Sequence, residues 1–598
     1  MAEKGNTETV SDVIVERLLD WDVERVFGYS GDGINGFLAA LQRADEGPEF
    51  VQARHEENAA FMAVGHAKYT GAVGVVTSTQ GPGAVHLLNG LYDAKLDHVP
   101  VVAIVGQQTT SVLGSGYMQE INLSTLFADV ASFVQLVASP EQVPMVIDRA
   151  FRSALSNRGP AVVILPHDVQ IADAPEHEHT HGVMLTSAVF DRGRILPPAE
   201  QLEAAARVLA EGSRVALLVG QGAKDAGEEV VAIAEKLGAG ITTSLLGKPY
   251  VDESLPFSTG VMGHLGTTAS GHLLGNCDTL LIVGSSDPWT EFYPAPGQAR
   301  AVQIDVDAGR IGDRYPVEVG LAGDAAATLR ALVKVLPEAS DRSWRQEVEE
   351  QVRTWHEISE TRALVDAQPV NPELVVRRLS ERMPADAQVA LDVGSIVYWY
   401  ARQLRLPPGV PAHVSSTLAS MGCGMPYGIA GKLAHPERPM IVLAGDGGTQ
   451  MTGVAELITL SKMWPRWNDP RFVLCVINNR DLAEVSWEQR ENEGEPRFAA
   501  SQALPDFRYS AYAELLGLQG ILVDDPAQLA DAWDAALSSE RPVVLEVITD
   551  PSTPLLPPFP AGEEKLDTMH DAIDREGESG ERANALLTEY AGHEHHEE

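Results

Sequence analysis

The run PMIVLAGDGG (439–448), followed after a helical period by FVLCVINN (472–479), decides how this chain folds. Each half opens with an unbroken apolar stretch of strand length and closes on loop-forming residues, Gly-Asp-Gly-Gly in one and Asn-Asn in the other. Continuous Val/Ile/Leu runs mark strands covered on both faces, as in parallel sheets. The intervening VAELITLSKM is spaced as a helix. A strand–turn–helix–strand unit brings one carboxylate and one amide oxygen to the same end of adjacent strands, where open parallel sheets hold ligands.

The same pattern repeats outward from this unit. VVAIVGQ (101–107), AVVILPHD (161–168), VALLVGQG (215–222), TLLIVGSS (279–286), AVQIDVD (301–307) and PVVLEVITD (542–550) read as further buried parallel strands, most of them emptying into a loop with Gly, Asn or Asp. The expected fold class is α/β, with three consecutive parallel-sheet domains at 1–175, 199–336 and 371–555. A polar, Pro- and His-bearing linker is expected at 176–198 and a charged helical one at 337–370. Residues 556–598 are expected as an acidic, solvated tail whose short apolar patch is too weak for a stable membrane anchor.

Bulk properties narrow the function. A chain of 598 residues is too long for one core. A formal net charge of -40 opposes binding to nucleic acid or an anionic membrane. An anionic substrate therefore needs a local cation, metal or helix N-terminus. Cys277, Cys423 and Cys475 form no ligand spacing or disulfide framework, and the N-terminus has no signal-peptide core, so a soluble cytoplasmic protein is expected.

Gly445-Asp446-Gly447-Gly448 and Asn478-Asn479 suit magnesium and a diphosphate together. Hard oxygen donors fit the metal, and glycines let the backbone approach phosphate at a helix start. Alone, GDGG is satisfied by a turn. Far upstream, His55-Glu56-Glu57 opens the helical stretch ENAAFMAVGHAKYTG after EFVQAR. Glu-Glu at a helix start is ordinarily dipole complementation, but a second motif of this kind beside GDGG and NN changes the weighing.

Together these motifs resemble the thiamine diphosphate (ThDP) family that includes pyruvate oxidase, acetolactate synthase and simple 2-oxo acid decarboxylases. The resemblance implies that Asp446, Asn479 and the carbonyl of Asp481 ligate Mg2+, with Gly445, Gly447 and Gly448 at the diphosphate. It implies that Glu56 shares a proton with the aminopyrimidine, so that the thiazolium C2 is deprotonated; a partly desolvated carboxyl suits that task. Met421 matches the wedge beneath the cofactor, the carbonyl of Ala419 the acceptor for the 4′-amino group, and Val485 an aliphatic residue near the thiazolium. In the family the two motifs of one site come from different subunits, so a homodimer at least, and a homotetramer by resemblance, is expected. Thirty residues (448–477) separate Gly447 from Asn478, more than the family usually has, and MWPRWNDPR (463–471) is the extra loop.

The first block is most similar to pyruvate oxidase. His86 and Gln119 are expected at the substrate, with Met118 replacing an aromatic, and Glu488 matches a pyruvate oxidase glutamate. Trp487, one position away, matches a synthase residue under a slipped alignment, and Glu484 stands where pyruvate oxidases tend to have an aromatic. The central block is similar to a flavin-binding domain. Gly220, Gly222, Ser244, Lys248, Gly284, Ser285, Asp305 and Asp324 are its expected FAD contacts. The implied activity is decarboxylation of a small 2-oxo acid, pyruvate first, with electrons passing through FAD to oxygen or another acceptor. A carboligase of the acetolactate synthase type and a non-oxidative decarboxylase are the alternatives.

Overall fold

The computed structural model describes residues 8–175 and 184–594. Part of the expected linker (176–183) and the last four residues of the expected tail (595–598) lie outside the described residues. Three six-stranded sheets, parallel throughout, succeed one another along the chain. The first contains β1 (Arg25–Gly28), β2 (Glu49–Gln52), β3 (Gly74–Ser78), β4 (Val101–Gln107), β5 (Phe133–Leu136) and β6 (Pro160–Pro166), in the order β2-β1-β3-β4-β6-β5. The second contains β7 (Val215–Val219), β8 (Gly240–Thr243), β9 (Ser258–Val261), β10 (Thr279–Val283), β11 (Arg300–Asp305) and β12 (Val319–Ala322), ordered β12-β11-β10-β7-β8-β9. The third contains β13 (Gln388–Leu391), β14 (Ala412–His413), β15 (Met440–Gly445), β16 (Phe472–Asn478), β17 (Gln519–Val523) and β18 (Val543–Ile548), ordered β14-β13-β15-β16-β18-β17. The first and third orders are identical once counted within each domain. All eight long apolar runs of the sequence are strands here.

One hydrophobic core is shared by the first and third domains. At its centre the helix Glu56–Thr70 packs against the helix Gly424–Ala434. Small residues in the first helix permit this: a Cβ on Gly65 would lie only 3.0 Å from Tyr427 Cα and 3.2 Å from Ala430 Cβ. Between them run buried polar links. Lys68 pairs with Asp97 at 2.7 Å and donates to the carbonyl of Val414, and Tyr427 donates to Asp93. Such links are stable in a dry interior only when each polar group finds a partner.

The expected solvated tail is corrected by the structure. Leu566–Asp574 and Glu581–Glu594 are helices packed on the third domain, with Met569, Ile573, Ala583, Leu587 and Tyr590 buried. Glu594 is withdrawn from solvent and pairs with Arg362 of the helix Ser343–Ala363, and Arg362 also holds Glu373 at 2.9 Å. The acidic composition hid an amphipathic pattern whose apolar face packs on the helices Ala483–Asn492 and Ser343–Ala363. Among the described residues, no helix is long and apolar enough to cross a membrane.

Candidate active site

The GDGG motif ends β15, and Asn478 ends β16. Their register pairs Gly445 with Ile477, so the two motifs leave the sheet side by side. Asp446 is 3% exposed; it accepts from the N–H of Arg480 at 2.5 Å and of Gly447 at 2.9 Å. Burial pushes its carboxyl up to about 7, the direction expected of a desolvated carboxylate. A Cβ on Gly445 would meet nothing within 4 Å, which leaves open space at the turn. The two asparagines divide their work. Asn478 is buried and donates to Glu546 at 2.9 Å, whereas Asn479 is half-buried beyond the strand. Arg480 takes a left-handed conformation (φ 58°), turning the chain after Asn479. The side chain of Asp481 is engaged by Ser486 and Arg497, so its carboxylate is committed and the carbonyl remains as donor.

The loop after β14 lies against this turn. A Cβ on Gly447 would be 3.0 Å from Met421 Cε, placing Met421 beside GDGG. Ala419 is left-handed (φ 54°), rare for a residue with a side chain, and exposed. Asp97 pins the loop by accepting from the N–H groups of Ser416 and Thr417, and the Ser415 hydroxyl accepts from Ser420 N–H. Asp392 accepts from Gly422 N–H at 2.7 Å and is pushed up to about 6 by burial. Asp97, Asp392 and Glu546 were not singled out as shaping the site. The only sequence signal of Asp392 and Glu546 is a carboxylate within or just after an apolar run, and Asp97 ends the helix Leu88–Leu96 ahead of one.

In the first domain Glu56 begins its helix, 8% exposed, with His55 as the N-cap accepting from Glu57 N–H at Nδ1. Glu56 Oε2 lies 2.9 Å from His86 Nδ1, and the His86 ring lies against that of His55, tilted by 31° with centroids 4.3 Å apart. Glu57 accepts from Asn89, which also donates to Ser420 across the domain boundary. Gln119 is left-handed (φ 61°) and close to the Gly81 turn, and accepts from Gln80 at 3.1 Å. Neighbouring Met118 is 68% exposed.

The helix Ala483–Asn492 gives Trp487 and Glu488 opposite orientations. Trp487 is turned into the core at 1% exposure, while Val485 and Glu488 face outward. Burial, then repulsion from Glu488, raises Glu484 to about 7; burial, then repulsion from Glu493, raises Glu488.

A cavity of about 810 Å³ opens where the three domains meet. Gly222, Ser244, Gly284, Ser285, Asp305 and Asp324 line it, together with Arg158, Arg310, Ser416 and Thr417 from other elements. Two expected contacts are corrected. Lys248 is buried away from the cavity, paired with Glu253 and lying over the Tyr400 ring. Gly220 does not line it either: a Cβ there would fall 2.3 Å from the carbonyl of Gly284, so this glycine serves loop packing.

Three family models match the chain: the N-terminal TPP binding domain of thiamine pyrophosphate enzymes over residues 8–126, the central domain over 202–332, and the C-terminal TPP binding domain over 392–547. The chain belongs to the thiamine pyrophosphate enzyme family. A Bacillus subtilis protein named as thiamine pyrophosphate-containing is 37% identical over 92% of this chain and 93% of its own. Pyruvate oxidase of Lactiplantibacillus plantarum is 30% identical over 95% and 92%. The large subunit of acetolactate synthase isozyme 2 from Escherichia coli is 31% identical over 93% and 99%. The residues described above fit ThDP: an open glycine turn and hard oxygen donors stand at one end, and a buried carboxyl partnered by a histidine at the other. His55, Glu56 and His86 also bring ligand atoms within 4.8 Å of one another, but His55 Nδ1 is committed to its N-cap bond.

Proposed function

We propose that the protein decarboxylates a small 2-oxo acid, pyruvate first, with ThDP and Mg2+, and passes the electrons through FAD to oxygen or another acceptor. The carrying observation is the contiguity of two sites. Ser416 and Thr417 line the central cavity, while Met421 of the same loop stands at the GDGG turn. A cavity of about 810 Å³, edged by glycines and by Asp305 after a strand, has the size and chemistry for a dinucleotide.

ThDP supplies a carbanion at C2 and an electron sink for the decarboxylated fragment. Within the chain, Asp446, Asn479 and the Asp481 carbonyl would hold Mg2+, and Glu56 would hold the proton shared with the aminopyrimidine. With its Nδ1–H donated to Glu56, His86 keeps Nε2 as an acceptor toward substrate, beside Gln119. The hydrogen bonding of Glu56 within one chain goes to His86 and not to the Asp446 turn. By the family resemblance, the site is completed by a second subunit, in a homodimer or homotetramer.

The test is pyruvate turnover with ThDP, Mg2+ and an artificial electron acceptor, with the protein's visible spectrum recorded. Acceptor reduction by a yellow protein supports the oxidase. Acetolactate without reduction makes it a carboligase, acetaldehyde a simple decarboxylase, and a colourless active protein removes FAD.

A further inference from the structure

The segment that closes over the third domain reaches the metal loop through one carboxylate. Glu576 follows the helix Leu566–Asp574 and lies outside the 392–547 span matched to the family. Its two oxygens accept from Nε and an Nη of Arg490 at 2.8 and 2.9 Å. One of them also accepts from the backbone N–H of Arg497 at 2.8 Å. The Arg490 and Glu576 side chains are 5% and 6% exposed, so this two-point pair is withdrawn from water and geometrically strict. Burial opposes the charge on Glu576, but the bonds from Arg490 and Arg497 hold its carboxyl below the ordinary value.

Both arginines lead to the site. Arg490 belongs to the helix that presents Val485 and Glu488, and its guanidinium lies 4.5 Å from the centre of the buried Trp487 ring. Arg497, fixed at its backbone by Glu576, donates its Nε to Asp481 Oδ1 at 3.0 Å. Ser486 holds the other Asp481 oxygen at 2.8 Å. The Asp481 side chain is thereby clamped from both sides, and the direction of its peptide carbonyl with it.

We propose that Glu576 is a positioning residue for the metal and diphosphate loop, fixing the 483–492 helix through Arg490 and the Asp481 peptide through Arg497. The proposal rests on the reading that Asp446, Asn479 and the Asp481 carbonyl hold Mg2+. Glu576 itself touches neither metal nor cofactor.

The experiment titrates Mg2+ against ThDP binding by the full-length protein, followed by equilibrium dialysis, for wild type, Glu576→Gln, Arg497→Met and Asp446→Asn. Groups that orient metal ligands are worth roughly 10–100-fold in metal affinity. The half-saturating Mg2+ concentration is therefore expected to rise about tenfold in Glu576→Gln and in Arg497→Met. A purely structural role would lower the thermal midpoint and leave the Mg2+ dependence of the folded protein unchanged; that result overturns the proposal. Arg497 is partly exposed, so Arg497→Met decides alone if Glu576→Gln does not fold. Asp446→Asn separates the two ideas. If it keeps the wild-type Mg2+ dependence, the metal reading falls and the proposal with it. If it loses metal-dependent binding while the other two variants match wild type, the proposal alone falls.

Discussion

The first and third domains share a strand order and place their site residues on the same three loops, yet the chemistry of those loops is opposite. After the second strand of each comes Glu56 in one and Ala419–Met421 in the other. After the third comes Gln80 to His86 against Asp446 and its glycines. After the fourth comes Gln119 against Asn479 to Val485. The helices following the second strands, Glu56–Thr70 and Gly424–Ala434, are each other's packing partners. Topology thus decides where loops converge, and under the proposed function loop residues alone decide whether the place handles protons or a metal diphosphate.

That division can be broken one loop at a time. Glu56→Gln is expected to have the largest effect, a turnover loss on the order of 10³-fold within the range for general acid–base groups, with ThDP still bound. Hydrogen–deuterium exchange at the cofactor C2 checks it; an unchanged exchange rate refutes the role. Asp446→Asn attacks the opposite loop and should lower Mg2+-dependent ThDP affinity by about a hundredfold, read by equilibrium dialysis. If both variants lose binding equally, the two domains do not divide the labour. His86→Ala should cost about tenfold in kcat/KM, less than Glu56→Gln, because it removes a partner of the acid and not the acid itself. A loss as large as that of Glu56→Gln would make His86 the primary proton carrier.

The smallest expected effect concerns Glu484, a carboxyl with no described equivalent in the first domain. Its folded value is raised to about 7 from an ordinary 4.5. Between those values the folded state binds more protons than the unfolded one, so stability falls as pH rises through this window. Glu484→Gln should raise the thermal midpoint at pH 8 and leave it nearly unchanged at pH 4. Equal shifts at both pH values would show that ionisation is not the cause.

Much of the architecture was legible because central strands of parallel sheets are continuous apolar runs. FVLCVIN and MIVLAG could hardly be anything else, and their loops carried the metal motif openly. Some short or edge strands escaped notice, since Ala412–His413 has two residues and Gln519–Val523 is only half-buried. Glu56 was legible as a motif, but its bond to His86 depends on a turn thirty residues away. Lys248 misled because a lysine after a glycine-bearing strand loop resembles a phosphate contact. Only the fold reveals Glu253 beside it. The C-terminal helices were obscured by their charge: each carries enough Asp and Glu to pass for a solvated segment, and the apolar stripe is only a few residues wide.

The walls of the central cavity come from all three domains: Arg158 precedes it by sequence, Gly222 to Asp324 form its middle, and Ser416 and Thr417 arrive later. A ligand held against all of them has no complete receptor on a partly synthesised chain. Under the proposed function, FAD loading would be a late event in biogenesis, after the third domain has docked. A dinucleotide held there would also report domain association, so a protease that separates the third domain should release it before either remaining sheet unravels.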